Sequence, residues 1–462
     1  MSRPYKGICI DSRKAQPGWA FVAIRGFEHD GHDFVDDAIA HGASTVVVDH
    51  PLDLPERIEQ VVVADTAKAL AELAADFYGH PAEQLTLIGV TGTKGKTTTV
   101  HMIAACLEQA GRQVAMIGTN GVEFGGRRIK LANTTPDALT INTYLRQMVD
   151  AGVEVCAMEV SSQALKLDRV YGLTFDYALF LNLSEDHISP AEHPDFADYQ
   201  RCKAKLFRQC KCQIINADDP HAQAMVNSEL PLLTFGASGK DLRLRQTKPL
   251  WQQAYLGVQV ETDWGSYAVG LPGHFNAMNA LACQLTCAQF GVAITTQLAQ
   301  FKVAGRTELL PGPKDYLVLL DYAHNALSLE NLLSTLREYR PGRLICVFGA
   351  GGDRARDRRA PQGEVAARLA DLALITADNP RFEAVADIDA DIIAGFEAAQ
   401  ADGAQGRYRE IRDRAEAIRF VLEHAHPRDI IAICGKGDED YLEVCGKRSH
   451  YSDRETVAAF FA

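Results

Sequence analysis

Residues 85–99 read LTLIGVTGTKGKTTT, and this stretch decides how the middle of the chain folds. The apolar run at 85–90 predicts a short buried strand, and the residues after it predict a helix over 97–110. A strand that enters a helix through a glycine-rich turn directs backbone N–H groups and the positive end of the helix toward one point, where they bind phosphate oxygens. The stretch therefore predicts a loop that holds a nucleoside triphosphate.

Within this loop each polar residue has an expected role. Lys96 would reach the β- and γ-phosphates, and the hydroxyl of Thr97 would ligate Mg²⁺. The spacing is G-x-x-G-x-x-G-K-T, so Val90 stands where the strict G-x-x-x-x-G-K-[ST] pattern has glycine. The alternative is a glycine-rich turn that binds nothing, which the lysine and the threonines argue against. The residues expected at the nucleotide are Gly92, Thr93, Lys94, Gly95, Lys96, Thr97 and Thr98.

Strand-like runs alternate with helical stretches on both sides of this loop, which is typical of parallel sheets covered by helices. Breaks at Gly79-His80-Pro81 and at Gly305-Arg306 separate three groups of strands. We therefore predict an α/β protein of three domains, 1–82, 83–306 and 307–462. The expected strands are 20–24, 45–48 and 61–63, then 85–90, 113–117, 155–159 and 178–182, then 316–320, 343–348, 372–376 and 429–433.

Composition excludes several classes of function. The 462 residues include 47 Lys and Arg against 60 Asp and Glu, a net charge of −13, which argues against a nucleic-acid partner and against an anionic membrane surface. The start, MSRPYKGICIDSR, lacks the apolar core of a signal peptide, and no run is long enough to span a bilayer. The eleven cysteines lack zinc-site or disulfide spacing. We expect a cytoplasmic monomer that acts on small molecules.

Further motifs are distributed over most of the chain. With them, the sequence resembles the Mur ligase family, the amide-forming ligases of peptidoglycan precursor synthesis. Lys94 stands where the family's ATP loop often has Asn. The motifs, in the family's order, are NTTPD (133–137), MEVSSQAL (158–165), NLSEDH (182–187), YQRCKAKLF (199–207), GHFNAMNALA (273–282), AGRTE (304–308), DYAHN (321–325), FGAGGDR (348–354), DNPR (378–381), DRAEAI (413–418) and GKGDEDY (435–441).

The resemblance implies a small N-terminal UDP-binding α/β domain, a central P-loop ATPase-type parallel sheet and a C-terminal Rossmann-like domain that receives the amino acid. It also implies the reaction. A substrate carboxylate takes the γ-phosphoryl group of ATP, and an amine then displaces phosphate from the acyl phosphate. The DNPR segment has the form found in ligases that add meso-diaminopimelate to UDP-N-acetylmuramoyl-L-Ala-D-Glu, where the arginine binds the distal carboxylate.

Roles for individual residues follow from the resemblance. Two Mg²⁺ ions are implied, held by Thr97, Glu159, His187 and Lys203, the last as a carbamate, with Lys205 as the alternative lysine. The catalytic set is Lys96, Glu159, His187, Lys203 and Arg306. ATP would also contact Asn276, Asn279, Arg306, Asp321 and His324, although Asn276 could simply cap a helix. The substrates would contact Ser12, Thr134, Thr135, Ser161, Arg169, Arg354, Asp378, Asn379, Arg381, Gly435 and Glu439.

Several positions depart from the family pattern. Gln163 replaces histidine in the S-S-H segment, and Asp438 replaces histidine in G-K-G-H-E. Three alternatives therefore stay open. The chain could be a paralogue that joins another amino acid to another carboxylate, a polyglutamate-type synthetase, or a nucleotide-binding homologue without turnover.

Overall fold

The computed structural model describes residues 5–26, 29–185, 188–189, 192–252, 255–312 and 315–462. Contacts between Cα atoms divide the chain into two compact units. Unit 1 comprises Met1–Leu244 and Met278–Ile294, and unit 2 comprises Arg245–Ala277 and Thr295–Ala462. Among the helices described, none has the length and apolar character that crossing a membrane requires.

Unit 1 begins with a small parallel sheet of four strands in the order β1-β2-β3-β4. Successive residues of its strands face two different cores. Phe21 and Val46 lie in one apolar cluster, while Val22 and Val47 lie in the other. Asp65 caps the second helix, and Gly79, at φ 72°, ends it. The elements are β1 (Gly7–Cys9), β2 (Trp19–Val22), α1 (Val35–Ala40), β3 (Ala43–Val48), β4 (Glu59–Val62) and α2 (Thr66–Tyr78).

The larger sheet of unit 1 is parallel in its middle, with neighbours in the order β12-β11-β10-β5-β9-β6. Strands β7 and β8 add antiparallel to this edge through tight hairpins, a feature the sequence prediction lacked. The elements are β5 (Thr86–Thr91), α3 (Lys96–Gln109), β6 (Val114–Gly118), β7 (Gly121–Phe124), β8 (Arg127–Ile129), α4 (Ala138–Asp150), β9 (Val155–Glu159), α5 (Ser162–Lys166), β10 (Phe175–Phe180), α6 (Phe196–Ala204), β11 (Cys210–Asn216), α7 (Ala222–Met225) and β12 (Leu232–Gly236).

Helices cover both faces of this sheet, so its central strands are apolar on both sides, as in other parallel sheets. All five residues of β9 are buried. The next elements are β13 (Leu242–Gln252), β14 (Tyr255–Thr262), β15 (Gly265–Val269) and α8 (His274–Ala288), of which β14 and β15 form an antiparallel hairpin. We predicted no strands in this stretch, because polar and apolar residues alternate there instead of forming apolar runs.

Unit 2 holds a six-stranded sheet in the order β16-β17-β21-β18-β19-β20, parallel except for β16. Two apolar clusters cover its faces. Its elements are β16 (Glu308–Leu309), β17 (Leu317–Asp321), α9 (Ala326–Glu338), β18 (Leu344–Phe348), α10 (Arg359–Leu369), β19 (Leu372–Ile375), α11 (Val385–Ala401), β20 (Arg407–Glu410), α12 (Arg414–Glu423), β21 (Ile430–Cys434), β22 (Tyr441–Val444), β23 (Lys447–His450) and α13 (Asp453–Phe461).

Candidate active site

The predicted phosphate loop joins β5 to α3 in unit 1. Gly92 and Gly95 have φ values of 158° and 88°, and the second lies in the left-handed region that glycine adopts without strain. A Cβ on Gly95 would lie only 2.4 Å from Oδ1 of Asn279, so a side chain here would displace that amide. The side chain of Asn279, a predicted nucleotide contact, therefore packs against the backbone of the loop.

Asn182, two residues after the end of β10, fixes the loop. Its Oδ1 accepts from the Lys94 N–H at 2.9 Å, and its Nδ2 donates to the Lys94 carbonyl at 3.1 Å. Its own carbonyl accepts from the Thr93 N–H at 2.9 Å. The sequence prediction missed Asn182. It is the first residue of the NLSEDH motif, so the motif could have identified it.

Glu159 ends β9 beside the start of the loop, because the parallel register places it opposite Val90. Its Oε2 accepts from the Thr97 hydroxyl at 3.0 Å, and its Oε1 accepts from the Thr119 N–H at 2.8 Å. A Cβ on Gly118 would lie 2.2 Å from Oε1, so only glycine leaves room for the carboxylate. Hydroxyl and carboxylate oxygens are donors that suit Mg²⁺, so this pair fits the predicted metal ligands.

Four predicted substrate residues meet next to Glu159. The Thr135 hydroxyl donates to the Glu159 carbonyl at 2.8 Å and accepts from the Ser161 N–H at 3.1 Å. Arg169 donates to the Thr135 carbonyl at 2.9 Å, and burial lowers the pKa of its guanidinium. Because burial destabilises its positive charge, the guanidinium of Arg169 would bind an anion placed beside it favourably. Thr134 joins the group through its hydroxyl, 3.2 Å from that of Thr119, a residue the sequence prediction missed.

Lys203 is buried, with 1% of its surface exposed, in contrast to the exposed helical lysine that its sequence position alone suggests. Its Nζ donates to the Gly92 carbonyl at 3.0 Å and lies 4.6 Å from the centre of the Tyr199 ring. Lys96 donates to the same carbonyl at 2.9 Å. The alternative, Lys205, donates to the Leu165 carbonyl at 2.9 Å and has a side chain 45% exposed. His187, the other predicted ligand, lies outside the described residues.

The predicted N-terminal contact, Ser12, is buried after β1. Asp11 and Lys14, on either side of it, line a cleft of about 370 Å³. Asp137 and Thr140, at the start of α4, line the same cleft. Its volume falls in the range of small-molecule pockets.

The other predicted nucleotide residues lie in unit 2. Both oxygens of Asp321 accept backbone N–H groups, from Thr307 at 2.7 Å and from Ala323 at 2.8 Å, and burial raises the pKa of the carboxyl. Arg306 stacks over the Tyr322 ring at 5.0 Å, and His324 lies 2.8 Å from the Tyr322 carbonyl.

Asn276 lies inside α8 and donates through Nδ2 to the Pro272 carbonyl at 2.8 Å. It does not occupy the capping position that we considered as the alternative.

The DNPR and GKGDEDY motifs meet at the carboxyl ends of β19 and β21. Lys436 is fully buried there, and its Nζ lies 3.5 Å from Asp378 and 3.7 Å from Glu439. It also donates to Asn379 Oδ1 at 3.0 Å, while Asn379 Nδ2 donates to Glu439 at 3.0 Å. Burial lowers the pKa of Lys436 and raises that of Glu439. The sequence prediction missed Lys436, although this residue lies within the GKGDEDY motif.

The remaining acceptor candidates surround this cluster. A Cβ on Gly435, at φ 110°, would lie 3.0 Å from Asp378 Oδ2. Arg381 has a left-handed backbone, at φ 52°, and its Nη1 donates to the Gly352 carbonyl at 2.6 Å. Arg354 is exposed on the same glycine-rich segment. Asn379 and Glu439 are thus in direct contact, while the guanidinium of Arg381 lies against Gly352.

Comparison with known proteins identifies the family of this chain. Three family descriptions match consecutive parts of the chain: "Mur ligase family, catalytic domain" at 4–78, "Mur ligase middle domain" at 90–287, and "Mur ligase, glutamate ligase domain" at 305–437. A protein of Caldanaerobacter subterraneus subsp. tengcongensis is 38% identical over 99% of this chain and 94% of its own length. The chain belongs to the Mur ligase family.

The names of two relatives and of one solved structure show which members of the Mur ligase family this chain is similar to. The Caldanaerobacter protein and one from Geobacillus thermodenitrificans, 38% identical over 97% of this chain and 93% of its own length, are both named UDP-N-acetylmuramoyl-L-alanyl-D-glutamate–2,6-diaminopimelate ligase. A solved structure of a ligase with that name is 29% identical, covers 99% of this chain and 95% of its own, and superposes with a TM-score of 0.69. The predicted three-domain α/β architecture of a Mur ligase is confirmed.

Proposed function

We propose that this protein is an ATP-dependent ligase that joins meso-diaminopimelate to UDP-N-acetylmuramoyl-L-Ala-D-Glu. The observation that carries the proposal is the hydrogen bond of 3.0 Å between Thr97 and Glu159 at the phosphate loop. It brings a hydroxyl and a carboxylate together where a glycine-rich loop and a helix N-terminus would hold a triphosphate. The substrates of the proposal are taken from the names of the relatives, which match this chain over nearly its full length.

The proposed reaction has two steps. A carboxylate of the D-Glu residue attacks the γ-phosphorus of ATP, so that a C–O–P bond forms, the bridging P–O bond breaks and ADP leaves. The amine of diaminopimelate then attacks the acyl carbon, a C–N bond forms, phosphate leaves with the electron pair and the amine loses a proton. Both steps concentrate negative charge, so fixed cations are the groups that lower the barrier. Lys96 supplies one of them within the loop.

Thr97 and Glu159 would hold a Mg²⁺ ion, because their facing oxygens are the donors that this ion accepts. Bound there, the ion would neutralise phosphate charge. Thr119 and Gly118 position the carboxylate, the first by donating to it and the second by leaving it space. Thr134, Thr135, Ser161 and Arg169 are proposed to bind the nucleotide-sugar substrate, since they surround the same carboxylate and include a half-buried guanidinium.

We further propose that Lys203 functions as a carbamate. Two lysines, Lys96 and Lys203, donate to the single carbonyl of Gly92. Two ammonium groups on one acceptor repel each other, whereas conversion of Lys203 to a carbamate replaces this repulsion by attraction. A carbamate would also supply oxygen ligands for a second cation, which an ammonium group cannot.

The carbamate is tested with Lys203→Ala, with the matched variant Lys205→Ala as control. We expect Lys203→Ala to lose about 100-fold in kcat and to regain part of it when a short carboxylate is added, while Lys205→Ala stays within about threefold of the wild type. Intact-mass measurement in bicarbonate should also detect a carbon dioxide adduct that is absent from Lys203→Ala. Full activity of Lys203→Ala without any addition would remove this part of the proposal.

The acceptor assignment rests on Arg381. Diaminopimelate carries a second carboxylate, which a guanidinium fork binds bidentately. Asp378, Asn379, Gly435 and Glu439 are proposed to bind the remainder of the amino acid, while Arg354 would extend the basic surface beside it. Asn379 donates to Glu439 at 3.0 Å and so fixes the orientation of this carboxylate.

The proposed function is tested by measuring phosphate release from ATP with UDP-N-acetylmuramoyl-L-Ala-D-Glu and each of four amine conditions: meso-diaminopimelate, lysine, glutamate and none. We expect release with diaminopimelate at least about 100-fold faster than with lysine, because lysine leaves the arginine without its carboxylate. Release only with a carboxylate other than the muramoyl dipeptide would identify a paralogue. Binding of ATP without release under any condition would identify a homologue without turnover.

We also propose the domain limits 1–82, 83–306 and 307–462, a monomeric state and a cytoplasmic location. All eleven cysteines are free thiols, which suits a reducing compartment. Size-exclusion chromatography with light scattering tests the monomer, and limited proteolysis tests the domain limits near residues 82 and 306.

A further inference from the structure

Three buried cysteines of α3 and α8 converge in unit 1. Cys106 lies in the last turn of α3, while Cys283 and Cys287 lie one turn apart on α8. Each has 0% of its surface exposed. Cys283 Sγ is 3.9 Å from Cys106 Sγ and 3.8 Å from Cys287 Sγ, and all three sulfurs lie within 4.8 Å of one another. The proposed reaction uses none of them.

The geometry of this triangle suits a metal ion better than a disulfide. Bonded sulfurs are about 2.05 Å apart, well below the distances found here. A cation equidistant from the three sulfurs would lie between about 2.2 and 2.5 Å from each, a range that includes the usual metal–thiolate distance of about 2.3 Å. The cluster therefore needs little rearrangement to coordinate an ion.

The donor set selects the class of ion. Three sulfur ligands favour soft cations such as Cu⁺, whereas Mg²⁺ prefers oxygen. Zinc in structural sites takes four ligands in a tetrahedron. Among the described residues the group contains three His, Cys, Asp or Glu ligands and no fourth. A trigonal site with three sulfurs suits monovalent copper.

We propose that Cys106, Cys283 and Cys287 form a trigonal thiolate site for a soft monovalent cation, with Cu⁺ as the ion to test. Binding replaces S–H bonds by metal–sulfur bonds and releases one proton to solvent for each bond exchanged, with no change of oxidation state. Cys106 and Cys287 lie in the last turns of their helices, so local opening at these helix ends would admit the ion.

The chain provides an internal control. Cys346 and Cys434 are also buried, with sulfurs 4.0 Å apart, but this pair offers only two sulfurs. Cys445 is exposed and Cys212 is half-buried, so they would take up copper at the surface. The experiment therefore uses the full chain with Cys212→Ser and Cys445→Ser as its background.

Anaerobic titration with Cu⁺ against a chromophoric copper chelator measures the affinity. We expect one Cu⁺ per chain, three sulfur neighbours in X-ray absorption, and binding weakened by about 100-fold or more in each of Cys106→Ser, Cys283→Ser and Cys287→Ser. Cys346→Ser should bind as the background does. Circular dichroism identifies any variant that fails to fold, and Cys283→Ala provides a second test at the central position.

The proposal would be overturned by no uptake by the background protein, by equal affinity in the folded Cys283 variants, or by two sulfur neighbours. Formation of a disulfide between Cys106 and Cys283 without copper uptake would also overturn it. Since an ion that binds only the folded state stabilises it, Cu⁺ should raise the Tm of the background protein and leave that of Cys283→Ser unchanged.

Discussion

Charged side chains gather at the carboxyl ends of parallel strands in two places, at β5 and β9 in unit 1 and at β19 and β21 in unit 2. At the first, neutral donors hold Glu159: the hydroxyl of Thr97 and the N–H of Thr119. At the second, the ammonium group of Lys436 lies between Asp378 and Glu439. No cationic side chain takes part in these bonds to Glu159, whereas the ammonium group of the buried Lys436 offsets one of its two neighbouring carboxylates. The first arrangement suits metal and phosphate, and the second suits a zwitterionic amino acid.

Lys96→Ala gives the largest expected effect, because it removes the fixed cation from the first region. We expect kcat for phosphate release to fall by about 1,000-fold. The matched control is Lys211→Ala, since Lys211 is 67% exposed and paired with Asp176 on the same sheet. If Lys96→Ala lost less than about tenfold, the phosphate-loop assignment would be wrong.

Glu159→Gln keeps the shape of the side chain and removes its charge. If the carboxylate serves a cation, kcat should fall by about 100-fold and the Mg²⁺ concentration for half-maximal rate should rise. The control is Glu154→Gln, just before β9 and at the opposite end of that strand from Glu159, where the side chain is 45% exposed and pairs with Arg112. An unchanged Mg²⁺ dependence in a slow variant would assign Glu159 a purely structural role.

Arg381→Lys tests the second region. Lysine keeps the charge but loses the fork, so we expect KM for diaminopimelate to rise by about tenfold to 100-fold while KM for ATP stays the same. Arg448→Lys serves as the control, because Arg448 is 63% exposed and pairs with Glu443. A rise in both KM values would mean that Arg381 acts by holding Gly352 and not by binding the amino acid.

Asp389→Asn gives the smallest effect, and it is on stability. Asp389 is a fully buried carboxyl on α11, and neither of its oxygens has a hydrogen-bond partner among the described residues. Burial raises its pKa from 3.8 to about 7, with Glu410 adding to the rise. The folded state therefore favours the protonated form, and the stability this provides is present below pH 4 and is lost as the pH rises through 7.

Asparagine is neutral at every pH, so Asp389→Asn should be more stable than the wild type by about 2 kcal/mol at pH 8, and the difference should shrink toward pH 4. Urea unfolding at several pH values measures this. The control is Asp387→Asn, an exposed residue in the first turn of the same helix, which should show no such pH dependence. A constant difference between the Asp389 variant and the wild type would contradict the assignment.

Much of the fold was predictable because apolar runs determine buried parallel strands. The predicted run 155–159 is β9 (Val155–Glu159), and the predicted helix 97–110 is α3 (Lys96–Gln109). Strands β13, β14 and β15 were missed, since their alternating pattern carries a weaker local signal. The hairpins of β7 and β8 were missed for the same reason.

Local apolar patterns and short spacings were enough to predict the three-domain α/β plan, the glycine-rich loop between β5 and α3 and the residues that carry the family's motifs. Tertiary packing determines which distant residues meet. It buried Lys203 against Gly92, clamped the loop with Asn182, placed Lys436 between two carboxylates and gathered three cysteines into one triangle. Such contacts depend on the packing of elements far apart in the chain, and no local pattern in the sequence records that packing.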